Sequence, residues 1–275
     1  MFLKRLLSHS LIYALGPQIP KFAALFVLPL ITPHLESVDY GVYGIITSYT
    51  GILTGLSDLG FSVVLVNSYY KHPTKWRFIW RQLHFYLIVW SIIYSVITAF
   101  LIYFIIPGEA VKNLLWIILS VCLPSLFFNS TITIASRYYQ FAQKPFYMAI
   151  VSAIVGTVAI ALNLFTISTL KLGYMGWFVS TALATGIQFI FFCYPVFVKY
   201  RLSPILSFRK RFLRKQLKVS LPTIPHNYSS YLLNSSDRIV MDNMGVKVSE
   251  IGKFNLAYTF GNYFDFLVTA VGMAI

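Results

Sequence analysis

A chain of 275 residues that is 57% hydrophobic and only 11% charged, with a mean hydropathy of +0.71, holds more apolar surface than a water-soluble core of that length can hide. It therefore belongs with polytopic membrane proteins. Its net charge of +14 reads as loop polarity and not as a nucleic-acid surface, because the cations sit in short loops beside apolar spans. Its two cysteines, Cys122 and Cys193, both fall inside apolar stretches, which excludes a disulfide framework.

Eight apolar segments fill the chain: Leu11 to Pro33, Tyr40 to Tyr69, Leu83 to Ile106, Leu114 to Phe141, Tyr147 to Leu170, Gly173 to Val198, Leu217 to Met244 and Ile251 to Ile275. Each reaches the ~20 residues that cross a bilayer as a helix. The predicted fold is an all-α polytopic bundle: residues 1–198 form a six-helix lobe, 199–216 a basic linker, and 217–275 the start of a second lobe. The N-terminus and the even-numbered connections hold 16 of the 22 Lys and Arg residues, which predicts a cytoplasmic N-terminus. The cluster from Lys199 to Lys218 reads as an amphipathic interfacial linker able to meet anionic headgroups.

Polar residues recur at helical spacing inside three spans. In the first, Lys21 lies amid apolar residues, costly in lipid, with Gln18 one turn away on the same face. In the second, Thr47, Gly51, Thr54, Asp58 and Ser62 fall on one predicted face; in the seventh, Thr223, Asn227, Ser230, Asn234 and Asp237 do the same. Two readings follow: the seams line a hydrated cavity, or they serve helix packing, with Lys21 and Asp58 as a buried pair. Asp237 and Arg238 are neighbours and point ~100° apart on a helix, so neither is the other's main partner. His226, between Pro225 and Asn227, either titrates or is a satisfied interior residue. Pro17, Pro20, Pro29, Pro222 and Pro225 bend or end the first and seventh spans.

A short internal repeat joins the two parts. Asp39, Gly41 and Tyr43 open the second span, and Glu250, Gly252 and Phe254 open the eighth at the same spacing. Repeated halves are common in transporters, with the substrate site between them. The sequence shows no metal-ligand cluster, Walker-type loop or nucleophile elbow, so no cofactor and no ATP hydrolysis are expected of it. It ends inside an apolar helix without flanking cations, which reads as a piece of a longer protein.

Leu221, Pro222, Thr223, Ile224, Pro225 and His226, followed by Asp237, Arg238, Gly245, Gly252 and Ala257, resemble the start of the second lobe in Wzx-type oligosaccharide flippases. Tyr13, Gly16, Lys21, Leu28, Pro29, Leu30 and Thr32, then Tyr40, Gly41, Tyr43, Asp58, Leu59 and Gly60, resemble that family's first two helices. The motifs are specific for the multidrug, oligosaccharide-lipid and polysaccharide exporter superfamily and less so for one branch of it. The resemblance implies two six-helix lobes in a V that move undecaprenyl-pyrophosphate-linked oligosaccharide across the bacterial inner membrane for O-antigen or capsule synthesis. Family members usually carry twelve or more spans, and this chain has eight.

On that reading the chain is not an enzyme. Lys21, Gln18, Thr54, Asn227, Ser230, Asn234 and Arg238 would contact the anionic, hydroxyl-rich substrate, and Asp58, Asp237 and His226 would couple an ion or proton. Its partners would be the lipid-linked oligosaccharide, membrane lipids, and a polysaccharide polymerase with its chain-length regulator, but no nucleic acid. The alternatives are a drug exporter or lipid-precursor flippase of the same superfamily, or an enzyme acting on lipid-linked sugars. The short outward loops argue against the enzyme.

Overall fold

The computed structural model describes residues 26–272; the side chains of His226, Asn227, Ser230 and 262–272 fall outside that description. Gln18 and Lys21 therefore lie outside the described residues, as do Pro17 and Pro20. The described residues are mostly helical, with no strand among them.

A helix over 26–31 leads through a tight turn at Thr32–His34 into α1, Ser37–Thr54. A reciprocal cap starts α1: the Glu36 side chain accepts from the Asp39 backbone, and the Asp39 carboxylate accepts from the Glu36 N–H at 2.8 Å. There follow α2, Phe61–Lys71; α3, Trp76–Ile105; α4, Leu114–Phe127; and α5, Asn129–Phe141. Helix α6, Pro145–Leu164, runs on in a π turn to Thr169, and α7, Met175–Cys193, in another to Lys199. An extended stretch leads to α8, Lys210–Ser220, then α9, Ile224–Asn243, and α10, Val248–Gly272.

Among the described residues, four stretches are long and apolar enough to cross a membrane: Trp76–Ile105, Gly108–Phe127, Pro145–Thr169 and Met175–Lys199. Helix α3 shows why this bundle suits lipid. It buries Gln82, His84, Ser91, Ser95 and Thr98 and exposes Ile92, Ile93, Val96, Ile97, Phe100 and Phe104, the reverse of a helix in water. The buried His84 is satisfied: Nδ1 lies 3.0 Å from the Leu202 carbonyl and Nε2 3.4 Å from the Thr131 hydroxyl.

The fourth segment, read as Leu114 to Phe141, divides at Phe128 into α4 and α5, and two further differences from the sequence reading bear on the site. The second apolar segment is not one helix. It breaks at 55–60, where Leu59 (φ 50°) and Gly60 (φ 67°) take left-handed conformations before α2 begins. The proposed stripe from Thr47 to Ser62 is thus not a continuous helical face. The seventh segment, read from Leu217, begins later: through Ser220 the chain belongs to amphipathic α8, and Pro222 and Pro225 fall in the turn and first residues that open α9.

Helices α9 and α10 reach the rest of the bundle through α1. Helix α10 crosses α1 where a Cβ on Gly41 would strike the Val248 carbonyl and one on Gly252 would strike the Ser37 carbonyl. Ser37 and Gly41 stand at the same spacing as Val248 and Gly252, so the internal repeat packs against itself as a local two-fold contact in which each half presents its glycine to the other's backbone. Helix α9 runs along α1, its Tyr228 facing Gly55, and at the break the Ser220 carbonyl at the end of α8 faces Gly60.

Candidate functional site

Below the glycine crossing, a cavity of about 380 Å³ opens between α1, α9 and α10. Helix α1 contributes Tyr43, Thr47 and Ser48, α9 Asn234, Ser235 and Arg238, and α10 Asn255, Tyr258 and Thr259. Arg238 dominates it. The residue is 9% exposed, its guanidinium lies 4.3 Å from the centre of the Tyr258 ring, Nη1 donates to Asn255 Oδ1 at 2.6 Å, and Nη2 donates to the Asn234 carbonyl. Its Nε is buried without an acceptor among the described residues.

Each neighbour of that arginine is held by another. Asn255 Nδ2 donates to the Tyr40 carbonyl at 3.1 Å, which aims Oδ1 at the guanidinium, and the Tyr258 hydroxyl donates to Asn234 Oδ1 at 3.3 Å. Asn255 also fills the space over Gly44, where a Cβ would come within 2.8 Å of Cγ. The ion pair among the described residues is the exposed Lys253–Glu250 pair, so the direct partners of the Arg238 guanidinium are amides and a ring face, with the Asp237 carboxylate acting on it only from further away. A buried cation with neutral partners and a spare donor favours an anion beside it.

Of the site residues drawn from the sequence, Asn234 and Arg238 meet here. His226, Asn227 and Ser230 lie on α9, but their side chains are outside the described set. Thr54 does not line the cavity; it is exposed at the end of α1 and donates to the Thr50 carbonyl at 3.3 Å. Asp58 does not line it either. Its carboxylate holds the break, accepting from the Gly60 N–H at 2.9 Å and from the Ser62 hydroxyl, which in turn accepts from Arg137 Nε at 2.9 Å. Asp237 is exposed on α9, turned from the cavity that Arg238 enters, as their adjacency requires.

Sequence reasoning missed Asn255, Tyr258 and Thr259. A signal existed, since Asn255 and Thr259 fall one turn apart in an apolar helix. It also missed a link between α1 and the end of α9: the Tyr49 hydroxyl donates to Asp242 Oδ2 at 2.9 Å and accepts from Asn243 Nδ2 at 3.0 Å.

Fold and site together define a polytopic helical membrane protein with a cationic, amide-lined cavity between its helices. The chain belongs to the polysaccharide biosynthesis protein family, whose model matches residues 6–275. No curated protein matches it.

Proposed function

We propose that this protein moves undecaprenyl-pyrophosphate-linked oligosaccharide repeat units across the bacterial inner membrane by alternating access, as a transporter and not an enzyme. A sugar chain and a diphosphate lose several kcal/mol per polar group on entering hydrocarbon. A wet, hydrogen-bonding cavity between two lobes, residues 1–198 and the part that begins at residue 217, removes that barrier while the prenyl tail stays in lipid. The observation that carries the reading is Arg238, buried beside a polar cavity and in no ion pair among the described residues. Its guanidinium attracts the diphosphate or an acidic sugar, and Thr47, Ser48, Asn234, Asn255 and Tyr258 offer hydroxyl and amide partners to the saccharide. Lys21 supplies a second cation from the first span, with Gln18, Asn227 and Ser230 as further contacts. Asp237 and His226 on α9, and Asp58 at the α1–α2 break, are the groups through which an ion or proton is coupled.

The test is replacement of Arg238 by Gln and by Lys in cells whose surface polysaccharide depends on this protein. R238Q keeps membrane insertion and protein level, loses surface polymer by tenfold or more, and accumulates lipid-linked repeat units in the inner leaflet; R238K retains part of the activity. Normal polymer in R238Q cells would remove the anion-attraction reading.

A further inference from the structure

Separate from the cavity, α8 and the segment before it carry chemistry that no transport step uses. Between Glu109 and Asp237 the sequence has twelve Lys and Arg residues and no Asp or Glu, and six of the twelve lie within residues 209–218. On α8, Lys210, Arg211, Arg214, Lys215 and Lys218 are all exposed, and at ~100° per residue they occupy an arc of about 140°. Phe212, Leu213 and Leu217 take the opposite side and pack against the bundle, Phe212 stacking on Tyr86 at 6.0 Å. The apolar face of α8 is therefore spent on protein, and the cationic face is turned out.

The approach to α8 is fixed as well. Arg81 Nε donates to the Ser203 carbonyl at 2.9 Å, and the Ile205 N–H donates to the Arg81 carbonyl at 3.1 Å. The Arg209 N–H donates to the Tyr86 hydroxyl at 2.8 Å. Yet between these anchors Leu206 is 81% exposed and Phe208 58%. Two large apolar side chains held outward next to six cations have no use for a soluble anion, but they suit a surface that is anionic at its face and apolar just beneath. The level is right too: Tyr69, Tyr70 and Trp76 form an aromatic cluster with exposed surface at this end of the bundle, as aromatic residues do at the membrane–water interface.

We propose that α8 and residues 205–209 form a docking surface for anionic phospholipid headgroups, with Leu206 and Phe208 inserted among the acyl chains and the five outward cations of α8 on the phosphates. An open groove of about 910 Å³ along α8, lined by those five cations with Leu213, Leu217 and Leu221, gives the headgroups room.

Lipid retention by the purified full chain tests this, read by native mass spectrometry from micelles holding equal phosphatidylglycerol and a zwitterionic phospholipid with the same acyl chains. The protein retains the anionic lipid at least tenfold more at low salt. The variant with Lys210, Arg211, Arg214, Lys215 and Lys218 all changed to Gln loses that preference, as does the native protein in high salt. Equal preference in variant and native protein overturns the proposal. So does displacement of the lipid by stoichiometric inorganic pyrophosphate, which would mark a site for soluble diphosphate. A second reading does not depend on the five-residue variant folding: a nitroxide on L206C, with Cys122 and Cys193 replaced, in nanodiscs of phosphatidylglycerol. Relaxation by oxygen exceeds that by an aqueous nickel complex if residue 206 is inserted, and the opposite order overturns insertion.

Discussion

Arg238 and Asp58 are both ionisable residues within apolar segments, and their surroundings divide their roles. Arg238 meets amides and a ring and keeps a donor free; Asp58 has its carboxylate engaged by Gly60 and Ser62. Asn255→Ala removes the acceptor of a buried charged donor, so the protein loses about 2 kcal/mol of stability, read as a lower melting temperature in detergent, and loses transport with it. Asp58→Ala leaves the Gly60 N–H and the Ser62 hydroxyl at the break without their acceptor, at a cost of about 1–2 kcal/mol, and Asp58→Asn, which keeps an acceptor oxygen, restores most of it. The sequence made both residues visible, because a charge among apolar residues is conspicuous in one dimension. It did not show that Asn255 is the partner of Arg238, since that depends on how α9 and α10 pack across a separation of 17 positions.

The glycine crossing between α1 and α10 governs how the elements meet. The backbones touch at Gly41 and Gly252, and no side-chain rotation relieves a Cβ there because the obstructing atoms are carbonyl oxygens. Gly41→Ala and Gly252→Ala each cost about 3 kcal/mol, at the top of the range for overpacking. Gly51→Ala is the control: its Cβ would stand 3.2 Å from Ser235 Oγ, which can rotate away, and the cost stays under about 1 kcal/mol. Thermal unfolding of the three variants in one detergent checks the order, and equal losses would contradict it. Hydropathy placed the segments at 83–106, 147–170 and 173–198 close to long apolar helices because burial in lipid sets their composition. It placed the α1–α2 break and the start of α9 poorly because these depend on left-handed residues and on an amphipathic helix that merges with its neighbour in any running average of apolarity.

At the scale of the whole molecule, α1 is the strut on which everything past α8 rests, gripped by the crossing with α10 and by the Tyr49–Asp242–Asn243 link to the end of α9. On the alternating access proposed above, one of these contacts opens. Cysteines at Tyr49 and Asn243, in a background without Cys122 and Cys193, joined by a short bis-maleimide, therefore stop transport, while the same two substitutions left unlinked retain it. Unchanged transport after complete linkage would place the moving parts elsewhere. The repeat, legible in the sequence as three matched residues, anticipated this seam, although nothing in one dimension said that the copies would touch.

Because both sides of the α1–α10 seam are already glycine, a side chain gained on either helix cannot be accommodated by trimming the other. Revertants of Gly41→Ala will therefore map away from the seam, to residues that let α10 slide or tilt, and their positions will trace the direction in which the two helices are free to move.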